Sequence, residues 1–218
     1  MLRRLALLLL CLPSLAIPAL AQGPTAEWQA YEEALARGTR HAELWQLGWS
    51  GVYAGSLVLN AWQASEASDD EDRFDARVGV VKSTLALGGL LLGRQPHPAA
   101  YRQLQQGERD IERARRLLQA VAEEERRRRS WQARLGSLAV NTAAGLVIGV
   151  GDDRPEDGVL NFATGLLVSE LELRTQPGQA LAAVNRFQPT RLSLGDLYLE
   201  GEVALLVGPH RLGVALRY

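Results

Sequence analysis

The chain has 218 residues, 47% of them hydrophobic and 22% charged, with a formal net charge of −1. That length and apolar content suffice for a sizeable core and exclude a disordered tail or a fibrous repeat. The even charge balance excludes a general electrostatic basis for wrapping nucleic acid.

The first 22 residues read MLRRLALLLLCLPSLAIPALAQ. Arg3 and Arg4 form a charged start, and Leu5 to Leu12 a short apolar run. Pro13 and Pro18 break that run, and Ala19-Leu20-Ala21 places small residues where a signal peptidase reads. The pattern predicts an export signal over residues 1–21. The run is too short to span a bilayer. Cys11 lies inside it behind Leu10, not behind a small residue, so it does not make a lipoprotein signal. From Gln22 onward there is no further cysteine. Disulfides, thiolate catalysis and cysteine-ligated metals are thereby excluded from the mature chain. An exported chain without disulfides fits a periplasm or cell envelope. Its formal charge is −3, from 22 basic and 25 acidic groups.

A short helix is predicted over residues 26–37, with Thr25 as cap and Gly38 ending it. Leu44 to Trp62 follows as an apolar stretch with Trp45, Trp49, Tyr53 and Leu57 on one helical face. An acidic loop, Ser65 to Asp75, leads to a Val-, Leu- and Gly-rich helix over 74–93, which Pro96 and Pro98 close. Residues 99–134 read as one long charged helix, with a narrow stripe of Leu104, Ile111 and Leu118 filled out by Leu117, Val121 and Ala122. Glu123–Arg127, Glu124–Arg128 and Glu125–Arg129 are spaced as i,i+4 pairs worth about 0.2–0.5 kcal/mol each. The Arg126–Arg129 run is thus read as a solvated face and not as a nucleic-acid site. A third apolar stretch, Leu135 to Val150, a second acidic loop, Asp152 to Gly158, and a fourth apolar stretch, Val159 to Leu173, come next. Pro177 opens a short helix to about Arg186. The tail reads as a small β-hairpin over 188–218, covering one end of the bundle, with a turn at Gly208-Pro209-His210. Leu212, Val214, Leu216 and Tyr218 alternate as in an outer-membrane strand, but about three strands are far from a barrel.

The two halves look duplicated, about 44–96 and 131–177. Ala54-Gly55 matches Ala144-Gly145. The second helices align backward from Gln95-Pro96 and Gln176-Pro177, with Val78 on Val159, Ser83 on Thr164 and Leu85 on Leu166. Gly in a helix costs about 1 kcal/mol against Ala, which close backbone approach repays. Gly88-Gly89 and the Gly145/Gly149 pair mark the expected contacts. The four stretches run about 15 to 19 residues, short of the roughly 20 a span requires. They contain Gln46, Asn60, Lys82, Asn141 and Asn161, and a mid-span Lys costs about 2.5–3.5 kcal/mol.

His41, His97 and His210 stand apart and form no metal spacing; each is read as a satisfied or exposed side chain. No nucleophile elbow or phosphate loop occurs. The acidic loops supply the only metal candidates, Asp69, Asp70, Asp72, Asp152 and Asp153, though their spacing fits no calcium-loop template. They serve equally as dipole complements at helix starts.

The reading is a mainly α protein: Gly/Ala-rich helical hairpins packed as a bundle over residues 22–187, with one long charged helix and a C-terminal β-hairpin. No cofactor and no nucleic acid is expected. The expected function is non-enzymatic: an exported cell-envelope protein, periplasmic or peripheral to the inner or outer membrane, packing against an envelope protein or lipid. One alternative is an integral membrane protein with four short Gly-rich spans. Another is a carboxylate- or metal-dependent hydrolase.

Overall fold

The computed structural model describes the backbone of residues 24–186, 188–194, 197–208 and 211–217 and the side chains of residues 27–185. The export signal expected over 1–21 lies outside the described residues. Helix α1 spans Pro24–Glu66, α2 Asp70–Leu92, α3 His97–Gln105, α4 Ile111–Arg128, α5 Trp131–Gly149, α6 Pro155–Arg174 and α7 Gln179–Arg186. The protein is mainly helical, and the helices from Pro24 to Asn185 form one compact unit. A second unit takes in the C-terminal segment, where the backbone runs as β1 (Gln188–Leu194), β2 (Leu197–Gly208) and β3 (Arg211–Arg217), antiparallel in that order. The turn residues Pro209 and His210, and the alternating side chains up to Tyr218, lie outside the described residues.

The helical unit has two halves. In the first, α1 meets α3 and α4, and Gln179 at the start of α7 lies with Nε2 2.8 Å from His41 Nδ1 of α1. Trp28, Tyr31 and Leu35 of α1 are buried with Leu104 of α3, with Ala114, Leu118 and Val121 of α4, and with Ala180 and Ala183 of α7. This is an ordinary apolar core. Glu27 accepts from Tyr31 Oη at 2.6 Å and from Arg115 Nη2 at 2.8 Å, which ties α1 to α4. Burial and the Glu27 bond push the Tyr31 phenol up to about 12, so it is a donor at any ordinary pH. The second half is built of two hairpins, α1–α2 and α5–α6. Contact within each hairpin far exceeds contact between them.

Two element expectations need correction. Gly38 does not end a helix; α1 continues through it for 43 residues. Its backbone is not left-handed, and a Cβ there would stand 2.3 Å from His97 Cδ2. Gly38 is therefore a packing notch for a buried histidine, not a stop. Nor is 99–134 one charged helix. It breaks at Gln106–Asp110, where Asp110 Oδ1 caps α4 by accepting from Glu112 N at 2.9 Å, and again at Arg129–Ser130. The apolar stripe explains the break. Leu104 and Leu118 must both reach the same first half of α1, and a straight rod cannot bring them there.

The anticipated pairing of Glu125 with Arg129 is also replaced. Glu125 is buried, with Oε1 2.7 Å from His97 Nε2. It also accepts from Ala180 N at 3.1 Å and Leu181 N at 2.6 Å, at the start of α7. One carboxylate so joins α3, α4 and α7. Glu124–Arg128 forms as expected at 2.7 Å, whereas Glu123 pairs with Arg126. Arg128 and Arg129 are not on a solvated face. Arg128 donates to Gly93 O and Arg94 O past the end of α2, and Arg129 to Gln176 O past the end of α6. Guanidinium groups suit the carbonyl-rich ends of helices.

Among the predicted glycine contacts, Gly145 and Gly149 do touch the neighbouring helix. A Cβ on Gly158 of α6 would stand 2.4 Å from Gly145 O and 2.6 Å from Gly149 Cα. Gly88 and Gly89 instead face open space. The same substitution should thus have opposite effects. Gly158→Ala is expected to destabilise by about 1–3 kcal/mol, and Gly89→Ala to be neutral or stabilising by up to about 1 kcal/mol. Thermal midpoints of the purified variants check this; equal shifts would contradict the packing. Glu125→Ala should cost about 3–5 kcal/mol, because it leaves buried groups unpaired. Glu123→Ala, on the exposed side, should cost under about 1 kcal/mol. Chemical denaturation compares the two.

Candidate functional site

The two hairpins share one internal device. On α1, Asn60 Nδ2 donates to Ser56 O at 2.6 Å, and on α5, Asn141 Nδ2 donates to Ser137 O at 2.8 Å. Each amide then fills the space of a glycine on the next helix. A Cβ on Gly79 would stand 2.1 Å from Asn60 Oδ1, and one on Gly165 would stand 1.8 Å from Asn141 Oδ1. Four residues beyond each glycine is a serine, Ser83 or Ser169, and Ser169 Oγ lies 3.4 Å from Asn141 Nδ2. These polar side chains of the apolar helices therefore turn inward.

They line a cavity of about 940 Å³ between the hairpins. Lys82 enters it from α2. Its Nζ donates to Asn161 Oδ1 of α6 at 2.7 Å and lies 3.5 Å from Asn161 O. Ser83, Asn141 and Thr164 add polar atoms, while Leu85, Val140 and Val168 add apolar wall. One end is closed by Tyr53 and the end of α6. Tyr53 Oη donates to Glu172 Oε2 at 2.5 Å, and Trp45 and Trp49 donate to Thr175 Oγ1 at 3.2 and 3.0 Å.

Asp75 and Asp157 line the other end, and here the acidic loops meet at Arg154. Arg154 Nη1 and Nη2 hold Asp75 of α2 at 3.1 and 2.5 Å. Its Nε reaches Asp152 at 2.8 Å and its Nη1 Asp157 at 3.1 Å. Glu71 is 3.9 Å away. Of the metal candidates, Asp152 is thus engaged by an internal cation. Asp69 caps α2 by accepting from Glu71 N at 3.2 Å, and Asp70 pairs with Arg73 at 2.6 Å. Asp72 is exposed on α2, and Asp153 takes the left-handed turn position, φ 55°, which aspartate tolerates. Among the described residues, no three His, Cys, Asp or Glu side chains are grouped to hold a metal.

Sequence reasoning weighed Lys82 and the asparagines only as costs of membrane insertion, and did not single out Arg154. A signal for the asparagines was present. Gly55-Ser56-Leu57-Val58-Leu59-Asn60 and Gly136-Ser137-Leu138-Ala139-Val140-Asn141 stand 81 residues apart. That is the offset of Val78 from Val159 and of Ser83 from Thr164. The repeat is better registered on this motif than on Ala54-Gly55 and Ala144-Gly145. Gly55 faces open space, whereas Gly145 meets a neighbouring backbone. No known family model, no curated protein and no solved structure matches the chain.

Arg154→Met would leave Asp75, Asp152 and Asp157 facing one another. The variant is expected to melt at a lower temperature than the wild type at low salt, and to be partly rescued by millimolar calcium. An equal calcium shift in the wild type would mean that these carboxylates are not held by Arg154.

Proposed function

We propose that the chain is an integral membrane protein of the cell envelope, with a non-enzymatic role in holding lipid or a partner. The outer part of α1 (44–62), α2, α5 and α6 lie in lipid; α3, α4, α7 and the start of α1 form a headpiece in water. The C-terminal segment, 188–218, is a small β-hairpin unit of the same exported chain.

One observation carries this reading: the polarity of the hairpin half is reversed. Leu92 is 88% exposed, Val150 76% and Trp62 60%, while Ser83 is 7% and Asn141 4% exposed. Leu44, Leu47, Val58, Val81, Leu160 and Leu167 are likewise more than half exposed. A continuous apolar exterior of this extent is rare on a soluble monomer. Polar groups facing the bundle interior, with apolar ones outside, are what a hydrocarbon solvent selects. Charged residues lie toward both ends of the apolar zone. Arg77 to Arg94, Arg134 to Asp152 and Asp157 to Glu170 span about 20–27 Å at about 1.5 Å per residue. A hydrocarbon core of about 30 Å accommodates such lengths by local thinning. Trp62 near one boundary and Trp131 near the other suit the two interfaces. Among the described residues, one stretch, Asp70–Gln105, which contains α2 and runs on through α3, is long and apolar enough to cross a membrane by length and composition.

A second reading is favoured by the shortness of the apolar runs: a peripheral bundle whose outer faces are covered by an envelope protein. The acidic loops lend no support to a hydrolase, since Arg154 occupies their meeting point.

Fractionation of the native host separates these readings. The protein should stay with membranes through carbonate and urea washes and leave only with detergent. Recovery in the periplasmic or wash fraction would sink the integral reading and favour the peripheral one.

A further inference from the structure

Lys82 is a cation placed among neutral partners. Its ammonium sits midway along the hairpins, seven residues from Asp75 and eleven from Gly93. Asn161 supplies its hydrogen bonds through Oδ1 and the backbone carbonyl. The carboxylates lining the same cavity are engaged elsewhere: Asp75 and Asp157 by Arg154, and Glu172 by Tyr53. Among the described residues, no carboxylate pairs with Lys82. A Cβ on Gly165 would stand 1.8 Å from Asn141 Oδ1 and 2.8 Å from Lys82 Nζ, so the glycine leaves room for both side-chain ends. A charge held at this depth is costly unless it is paired.

We infer that the cavity between the hairpins binds an anionic amphiphile, its phosphate or carboxylate head at Lys82 and its acyl chain along the apolar wall. The inference rests on the membrane reading for the route of entry, but not for the chemistry of the site. The head is specified by the unpaired ammonium, with Asn141, Thr164 and Ser83 as further polar lining. The chain is specified by volume and wall. About 940 Å³ far exceeds what an oxyanion needs, and Leu85, Val140 and Val168 line part of the remainder. The sparse contact between hairpins leaves the path by which a chain could enter sideways.

The test uses the full chain purified in a nonionic maltoside detergent, with tryptophan fluorescence as readout, since Trp45 and Trp49 adjoin the cavity end. Three probes are titrated: dodecyl phosphate, inorganic phosphate and dodecyl phosphocholine. Dodecyl phosphate is expected to bind saturably, at least about tenfold tighter than either of the others. Lys82→Met should weaken it by about tenfold or more, while Lys82→Arg retains it; matched thermal midpoints and elution volumes show that both variants fold. Equal binding of inorganic phosphate would overturn the amphiphile, leaving a small-anion site. Unchanged binding by Lys82→Met, or no saturable binding, would overturn the site. If the protein proves soluble without detergent, the membrane reading fails separately. The same titration below the critical micelle concentration then decides the site by the same outcomes.

Discussion

The inward turn of Asn60 and Asn141 is the constraint on which the hairpin half depends. An amide side chain on an apolar helix needs a partner. Each finds one in the carbonyl four residues back and a space in the glycine opposite. That requirement sets which face of α1 meets α2, and which face of α5 meets α6. Once those faces are set, Leu and Val on the remaining faces have nowhere to go but outward. The reversed polarity of this half thus follows from two polar residues and two missing β-carbons.

The two hairpins are then clasped at their ends and open between. At the headpiece end, Arg128 and Arg129 bind the carbonyls that follow α2 and α6. Within the second hairpin, Arg134 of α5 bridges to Glu170 of α6, with Nε 3.0 Å from Oε2. At the far end, Arg154 gathers carboxylates from α2, from the α5–α6 turn and from the first turn of α6. Electrostatic ties at both ends and few contacts in the middle leave the cavity that Lys82 enters. Both clasps use arginine, whose planar fork binds several oxygens at once.

The headpiece works by the opposite rule. It buries apolar side chains, and its enclosed contact between His97 and Glu125 serves the connection of three helices. Glu125 sits in a run of charges that reads as a surface. Its burial is explained by the start of α7, whose backbone N–H groups need an acceptor.

Much was legible in advance. The helical class, the paired apolar stretches around acidic loops and the Gly145/Gly149 contact follow from period, punctuation and residue size. Those are local properties, carried by neighbours in the chain. What the tertiary structure decided was the partner of each polar group. Gly38 reads as a stop until His97 is seen to occupy its notch. Glu125 reads as one of three equivalent acids until α7 is placed beside it. Asp152 reads as a metal ligand until Arg154 is found among the carboxylates. Lys82 reads as a penalty until a cavity surrounds it. In each case the deciding contact joins residues far apart in sequence, and its energy depends on burial, which no single stretch of chain contains.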